Sequence, residues 1–498
     1  MRTERIIEPI QTFGPCLKGI LENRGVSASE LARMMAYKSR NSIFRILDEA
    51  GGHSARQAFY GRLISEDPLG LNADERASLE QALEVSRVGR HAFLSNCAMR
   101  ELMMNANRRR DGQQIRVDAF AAPDDPAFLK ALSEMEHCKT AYVTITGCCD
   151  RAIFDALRKQ IYKTDVTCEV RVAHILYTGE EEIVHNISAI QPLLYCDCYR
   201  AYCLQPGVFS REREAFYRQN CIYALMLDEH GNWFRQTLVL VERGVLIPLQ
   251  KTEARKDDPM SRYFAADIEN MPMLKVEMPK GGSMESYLEY IKGCRRLEQS
   301  RARYINKQDL SLTCVHPEIL MPCVRDEFWQ MAGERAEAWK AEFWKIHMDR
   351  WENAFSRKRE NHIIFSAAAM KRFAQTGRQS DHFFAIRPYT RQERAAILRN
   401  LRDQARENPC FHVHFFHGCF EPTLTEIGLY EGMGTVMTKP YTEYNLDSDH
   451  TEAIVTQKEF CERYKEFYMH DLLARYVISE KETIELLDKL IEMAKNAP

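Results

Sequence analysis

The sequence predicts a multidomain α+β protein: an all-α N-terminal domain followed by a large mixed α/β region with long helices. Three observations carry that reading. The chain has 498 residues, too many for one ordinary domain at roughly 100–200 residues each. Apolar residues recur at helical spacing in short segments up to about residue 85. Beyond residue 140, β-branched runs begin to alternate with helical patterns. Hydrophobic residues make up 45% and charged residues 28%, the balance of a chain that buries a core, which excludes disorder as its main theme.

The first helical pattern follows Gly14-Pro15, starting near Cys16, and gathers Leu17, Ile20 and Leu21 on one face. Arg24-Gly25 closes it with a terminal cation and a C′ glycine. Ser27-Ala28-Ser29-Glu30 is a capping box for a second helix through Leu31, Ala32 and Met35. Ser39 caps a third, Arg40 to Leu47, ending near Gly51-Gly52. Phe59, Leu63 and Ile64 mark a fourth, stopped by Asp67-Pro68, and Ala73 to Val85 a fifth. The expected division is 1–90 as the first domain and 91–116 as a polar, basic linker. An α/β domain over 117–255, a connecting region over 256–322 and a helix-rich α/β domain over 323–498 complete it.

Within the α/β domain, Ala141–Thr146 and Thr167–Tyr177 read as strands around a helix at Arg151–Ile161. Cys221–Leu227 and Thr237–Ile247 read as a strand pair joined by the turn Glu229-His230-Gly231-Asn232. Lys251–Gly282 is rich in Pro, Gly and charge, the composition of a boundary. Val324–Phe355 is one long helical pattern with Phe328, Ala332, Ala336, Trp339, Phe343 and Ile346 at three- and four-residue steps. Strands at His362–Phe365, Cys410–Phe416 and Gly434–Met437 and helices at Arg391–Glu407, Glu459–Arg475 and Glu480–Lys495 complete the pattern. The order strand, helix, strand occurs at 141–177 and again at 362–416, which suggests a duplicated core.

Net charge is −3, which excludes a uniformly basic nucleic-acid coat. The segment from 24 to 62 departs from that total. It holds Arg24, Arg33, Lys38, Arg40, Arg45, Arg56 and Arg62 against Glu30, Asp48 and Glu49, a local excess suited to phosphate contacts. No apolar run is long enough to span a bilayer, and Met1–Ile10 is charged where a signal peptide would be apolar. Sixteen cysteines in 498 residues are too sparse for a disulfide scaffold, so a reducing, cytoplasmic setting is expected.

Leu17–Leu47 carries the functional signal. Gly25-Val26-Ser27-Ala28-Ser29-Glu30-Leu31-Ala32 matches the pattern G-[IV]-S-x-x-x-L-A. Ser39, Ile43, Arg45 and Ile46 fall on the polar, apolar and basic places that follow it. The segment resembles the lambda-repressor/Cro-like (XRE-type) helix-turn-helix family, over about the first eighth of the chain. It departs from the family at Ala36, where glycine is common, in a turn one residue longer, and at Phe44, where a small polar residue often faces DNA. The resemblance implies a sequence-specific transcriptional regulator that binds double-stranded DNA as a homodimer. Lys38, Ser39, Arg40, Asn41, Phe44 and Arg45 are the expected DNA contacts. Arg can bridge guanine and Asn adenine in the major groove, and Phe44 suits either a thymine methyl or a dimer interface. The large C-terminal region would sense a small-molecule or protein signal.

No catalytic set assembles from spacing, and no enzymatic activity or cofactor is expected. GxxxxGK[ST], GxGxxG after a strand and HExxH are all missing. His137-x-Lys139 is similar to the opening of a phospholipase-D-type signature, but Thr144 stands where that chemistry needs aspartate. Cys410, His412 and His414 share one face if the segment is a strand, with His417 and Cys419 nearby. Without a second pair at finger spacing they read as packed side chains in a core strand, and no metal is expected. Cys196, Cys198 and Cys203 likewise read as packed thiols. The main rival is an enzyme or defence effector targeted by its N-terminal domain. A scaffold whose helix pair binds protein is a third reading.

Overall fold

The computed structural model describes residues 10–37, 39–50, 52–103, 133–147, 151–164, 168–177, 183–194, 196, 198–205, 207–241, 245–248, 252–277, 284–379, 385–417, 426–438 and 452–496. Among these the chain divides into two compact units, the break falling between Ala98 and Met99. The protein is mixed α+β, with an all-helical N-terminal region followed by two mixed sheets.

Helices of the first unit are α1 (Phe13–Asn23), α2 (Ala28–Met34), α3 (Asn41–Leu47), α4 (His53–Glu66) and α5 (Ala73–Val88), then α6 (Arg90–Met103), which runs past the break. Leu17, Leu31, Ile43, Phe59, Leu63 and Leu79 form one core, each at most 2% exposed. The residues from 91 to 103, read from sequence as linker, are helical. The apolar side chains Phe93 and Cys97 lie one turn apart and are buried with Val85, which gives that segment a core to pack on. The basic run at 104–116 lies outside the described residues.

In the second unit β1 (Cys138–Thr146), α7 (Arg151–Thr164), β2 (Glu169–Tyr177), α8 (Ile183–Leu194) and β3 (Tyr199–Leu204) build outward as parallel strands. After α9 (Arg211–Tyr217), the chain returns beside β1 as the antiparallel β4 (Cys221–Asp228), β5 (Trp233–Val241) and β6 (Val245–Pro248), with β7 (Thr252–Glu253) also on β5. The sequence reading began β5 at Thr237; it starts at Trp233, directly after the turn. There Asp228 accepts from the His230 and Asn232 amides and Gly231 takes φ 88°. The expected second strand, Thr237–Ile247, divides into the end of β5 and the start of β6.

The expected boundary after Lys251 instead packs on this first sheet. Helix α10 (Pro259–Ile268) adds Phe264 to the aromatic cluster of Tyr217 and Tyr223, and the buried Asp258 and Asp267 accept the Tyr223 and Tyr217 hydroxyls. Strand β8 (Lys275–Glu277) then joins the other sheet.

The second sheet contains, after α11 (Met284–Leu297), β9 (Arg303–Lys307), α12 (Ala336–Ala354), β10 (Asn361–Phe365), α13 (Ala367–Thr376), α14 (Arg391–Glu407), β11 (Phe411–Phe415), β12 (Glu426–Tyr430), β13 (Gly434–Thr438) and β14 (Glu452–Val455). Helices α15 (Lys458–Phe467) and α16 (Glu480–Asn496) follow. The predicted long helix 324–355 is two pieces, Asp326–Gln330 and α12. Gly333 at φ 56° turns the chain between them, a conformation that glycine adopts without cost.

Both sheets have one topology. The first reads β3-β2-β1-β4-β5-β6 and the second β11-β10-β9-β12-β13-β14-β8. Each starts from a central strand, adds two parallel strands on one side through helical crossovers, and returns to the other side as antiparallel strands. The duplication expected from sequence is therefore present, with a different correspondence. β1 matches β9, not β10, because a stretch of 53 residues containing α12 separates β9 from β10. Helix α8 is buried along nearly its whole length, the mark of an interior helix, and packs against both α7 and α15.

Candidate nucleic-acid interface

The geometry of α2 and α3 follows from local rules. Ser27 Oγ accepts from the Glu30 amide at 3.2 Å and Glu30 Oε2 accepts from the Ser27 amide at 2.7 Å, so the capping box forms as its sequence implies. Those bonds hold the Glu30 carboxyl below its ordinary range. The chain leaves α2 through Met35, Ala36 and Tyr37. Ala36 takes φ 51°, a left-handed residue where glycine is usual. Its amide donates to the Arg33 carbonyl, and the Tyr37 amide to the Ala32 carbonyl.

Arg62 of α4 secures this turn. Its guanidinium donates to the Met35 carbonyl at 2.8 Å and lies 4.9 Å from the Tyr37 ring centroid. Tyr37 in turn packs on Phe59. Helix α3 then starts at Asn41, with the Asn41 amide donating to Ser39 Oγ at 3.2 Å. The cap thus sits one residue ahead of Arg40, which itself holds the helical N-cap position without a side-chain bond.

Helix α3 divides cleanly. Ile43 and Ile46 are buried, while Ser39, Arg40, Asn41, Phe44 and Arg45 are exposed. Positions 40, 41, 44 and 45 are one turn apart in pairs and share a face. Phe44 is 43% exposed, an apolar ring among cations and an amide. Lys38 lies outside the described residues.

The cations of the segment have separate uses. Arg24 pairs with Glu75 and donates to the Leu69 and Gly70 carbonyls. Arg56 is buried and donates to the Glu49 and Ser86 carbonyls. Arg62 pairs with Glu66 at 2.9 Å. Arg33, Arg40 and Arg45 are exposed and make no ion pair among the described residues. The positive surface counted from sequence is therefore smaller than its seven cations imply; among the described residues its exposed cations without an ion pair are Arg33 on α2, Arg40 at the start of α3 and Arg45 in its last turn.

Glu49 completes the support. Its carboxylate accepts from the Gly14 amide at 3.1 Å and Ser86 Oγ at 3.0 Å. Burial would push that carboxyl up, but bonds from Thr12, Gly14 and Ser86, with the Arg56 charge, hold it below the ordinary range. The role of Glu49 was missed in the sequence, where it counted only against the basic patch.

Elsewhere the expected clusters resolve differently. Cys196 and Cys203 are buried, and burial pushes the Cys203 thiol up to about 12, consistent with packed thiols. Cys410 sits before β11 and its Sγ donates to the Arg357 carbonyl. His412 and His414 share a face as expected, but β11 is the edge of its sheet, not a core strand. No protein-family model matches the chain, and no curated protein matches it. Among the described residues, no helix is long and apolar enough to cross a membrane.

Proposed function

We propose that this chain is a sequence-specific DNA-binding transcriptional regulator of the cytoplasm. In this reading α2 and α3 are a helix-turn-helix of the lambda-repressor/Cro-like type, and the larger unit senses a small-molecule or protein signal and dimerises. One observation carries it: a short helix that buries Ile43 and Ile46 while turning Arg40, Asn41, Phe44 and Arg45 outward on one face, with Arg40 and Asn41 at its N-terminal end. A recognition helix reads base edges from that end. Arg40 and Asn41 have the donor sets for guanine and adenine, and Phe44 has the surface for a thymine methyl. Arg33, exposed near the end of α2, and Lys38, which precedes α3 in sequence, are the cations for phosphate contact. A reader this small makes few contacts, so two copies on paired half-sites about one helical turn apart supply affinity. Signal binding then shifts the population of DNA-competent arrangements.

Selection of bound DNA from a random pool tests the proposal. Enrichment of one motif is expected, with Arg40→Ala or Asn41→Ala weakening the selected site by roughly 1–3 kcal/mol each without moving the thermal midpoint. No enrichment at low salt would overturn it. An unaltered motif and affinity in the double variant would remove α3 from the role of reader.

A further inference from the structure

The parallel pairing of β10 with β11 sets His362 directly opposite His412. Their rings stack at 4.3 Å between centroids with 14° between planes. Glu360 precedes β10 and turns its carboxylate to both. Its Oε2 lies 3.0 Å from His412 Nε2 and 3.6 Å from His362 Nε2. One ligand atom from each of the three residues falls within 4.8 Å of the others.

The arrangement has the properties of a metal site rather than of a closed ion pair. A His412–Glu360 hydrogen bond accounts for one imidazole, while His362 Nε2, at 3.6 Å from the same oxygen, is beyond hydrogen-bond reach of it. Among the described residues, His362 Nδ1 and His414 Nε2 are buried and have no hydrogen-bond partner. Tyr304, opposite His362 on β9, stacks on that ring at 5.4 Å and 10°, fixing its plane. Access is graded: the His362 side chain is 12% exposed, His412 37% and Glu360 50%, so an ion can arrive from solvent and meet fixed imidazoles.

We propose that the larger unit binds one transition-metal ion of the zinc class through His362 Nε2, His412 Nε2 and the Glu360 carboxylate, with a fourth position open to water or an external ligand. Two imidazoles and a carboxylate suit Zn²⁺, Co²⁺ or Ni²⁺ and disfavour Mg²⁺, which prefers an all-oxygen octahedron. Glu360 is the most exposed of the three ligands, and His414 lies beside them, its ring parallel to that of His362 at 5.9 Å. The inference stands independently of DNA binding.

The test uses the full chain, stripped with chelator and titrated with Co²⁺ alone. Binding of one equivalent, a visible absorption of low-symmetry Co²⁺ and its loss on adding one equivalent of Zn²⁺ are expected, with Mg²⁺ in excess leaving the band unchanged. His362→Ala and His412→Ala should each weaken binding by more than roughly 100-fold, beyond the loss caused by an outer-shell partner. His230→Ala, in the exposed β4–β5 turn, should leave it unchanged. X-ray absorption of the Zn²⁺-loaded native protein needs no variant and should report two imidazoles with oxygen donors. Absence of saturable Co²⁺ binding, sulfur in the zinc shell, or full affinity in a folded His362→Ala/His412→Ala double variant would each overturn the proposal. Glu360→Gln, at an exposed side chain, gives a milder loss of affinity and retains the fold should a histidine variant not.

Discussion

Gly14 has no room for a side chain. A Cβ there would meet the Leu47 carbonyl oxygen at 2.2 Å, where α1 passes the end of α3. Alanine in a helix normally gains up to about 1 kcal/mol over glycine. Here a backbone atom blocks it, and overpacking of about 1–3 kcal/mol decides the sign. Gly14→Ala should therefore destabilise the first unit, read as faster amide exchange in α1 and α3; equal or slower exchange would contradict the close approach. Ala36 presents the reverse case. Its left-handed conformation costs an L-residue roughly 1–2 kcal/mol, and glycine gives back part of that as unfolded-chain entropy. Ala36→Gly should stabilise the unit by about 0.5 kcal/mol or more in denaturant titration. The sequence marked this position as the usual place of glycine; the strain that alanine accepts there is visible only in the dihedral.

Among elements, α14 shows how a helix start can carry pH dependence. The Thr390 amide donates to Glu393 at 2.7 Å, the Glu393 amide donates to Thr390 Oγ1 at 3.3 Å, and Arg387 adds two bonds to the same carboxylate. Arg387 first, then Thr390, holds that carboxyl down at about 2 against an ordinary 4.5. A carboxyl depressed by folding stabilises above its unfolded pKa, and the contribution fades as pH falls from about 4.5 towards 2. With Arg387 about a third exposed, screening leaves roughly 1–2 kcal/mol. Glu393→Gln should remove that much at pH 7 and make little difference at pH 2; an equal loss at both would show that charge is not the cause. Helix α14 was read from sequence with its observed bounds, Arg391–Glu407, because its caps are local. Helix α12 was not, because the break at Gly333 depends on a dihedral that apolar spacing does not encode.

At the scale of the whole molecule, two sheets of one topology share the interior helix α8. Apolar spacing showed strand, helix, strand twice but aligned the wrong strands, since sheet order depends on pairing partners far apart in sequence. A helix buried along nearly its whole length, packed against helices of both halves, predicts that the two sheets unfold together. Ile190→Ala, at a fully buried site, should cost about 2–5 kcal/mol and lower amide protection in both sheets together. Loss confined to the first sheet would show that the halves unfold separately. Gln457, which donates to Cys203 Sγ at 3.0 Å, is a polar link between the same halves.

By itself the sequence determined the short helices of the N-terminal unit, their capping box and the outward residues Arg40, Asn41, Phe44 and Arg45. Those features depend on neighbours three or four positions away, and spacing encodes them. It also determined that His412 and His414 share a face, for strand alternation is equally local. Only the tertiary structure decided which cations remain at the surface, since Glu75 and the Met35, Glu49 and Ser86 carbonyls that engage Arg24, Arg62 and Arg56 lie on other elements or at loop positions. Only it brought Glu360 and His362 to His412, some fifty residues on, because parallel pairing of β10 with β11 sets that register and no motif of contiguous residues records it.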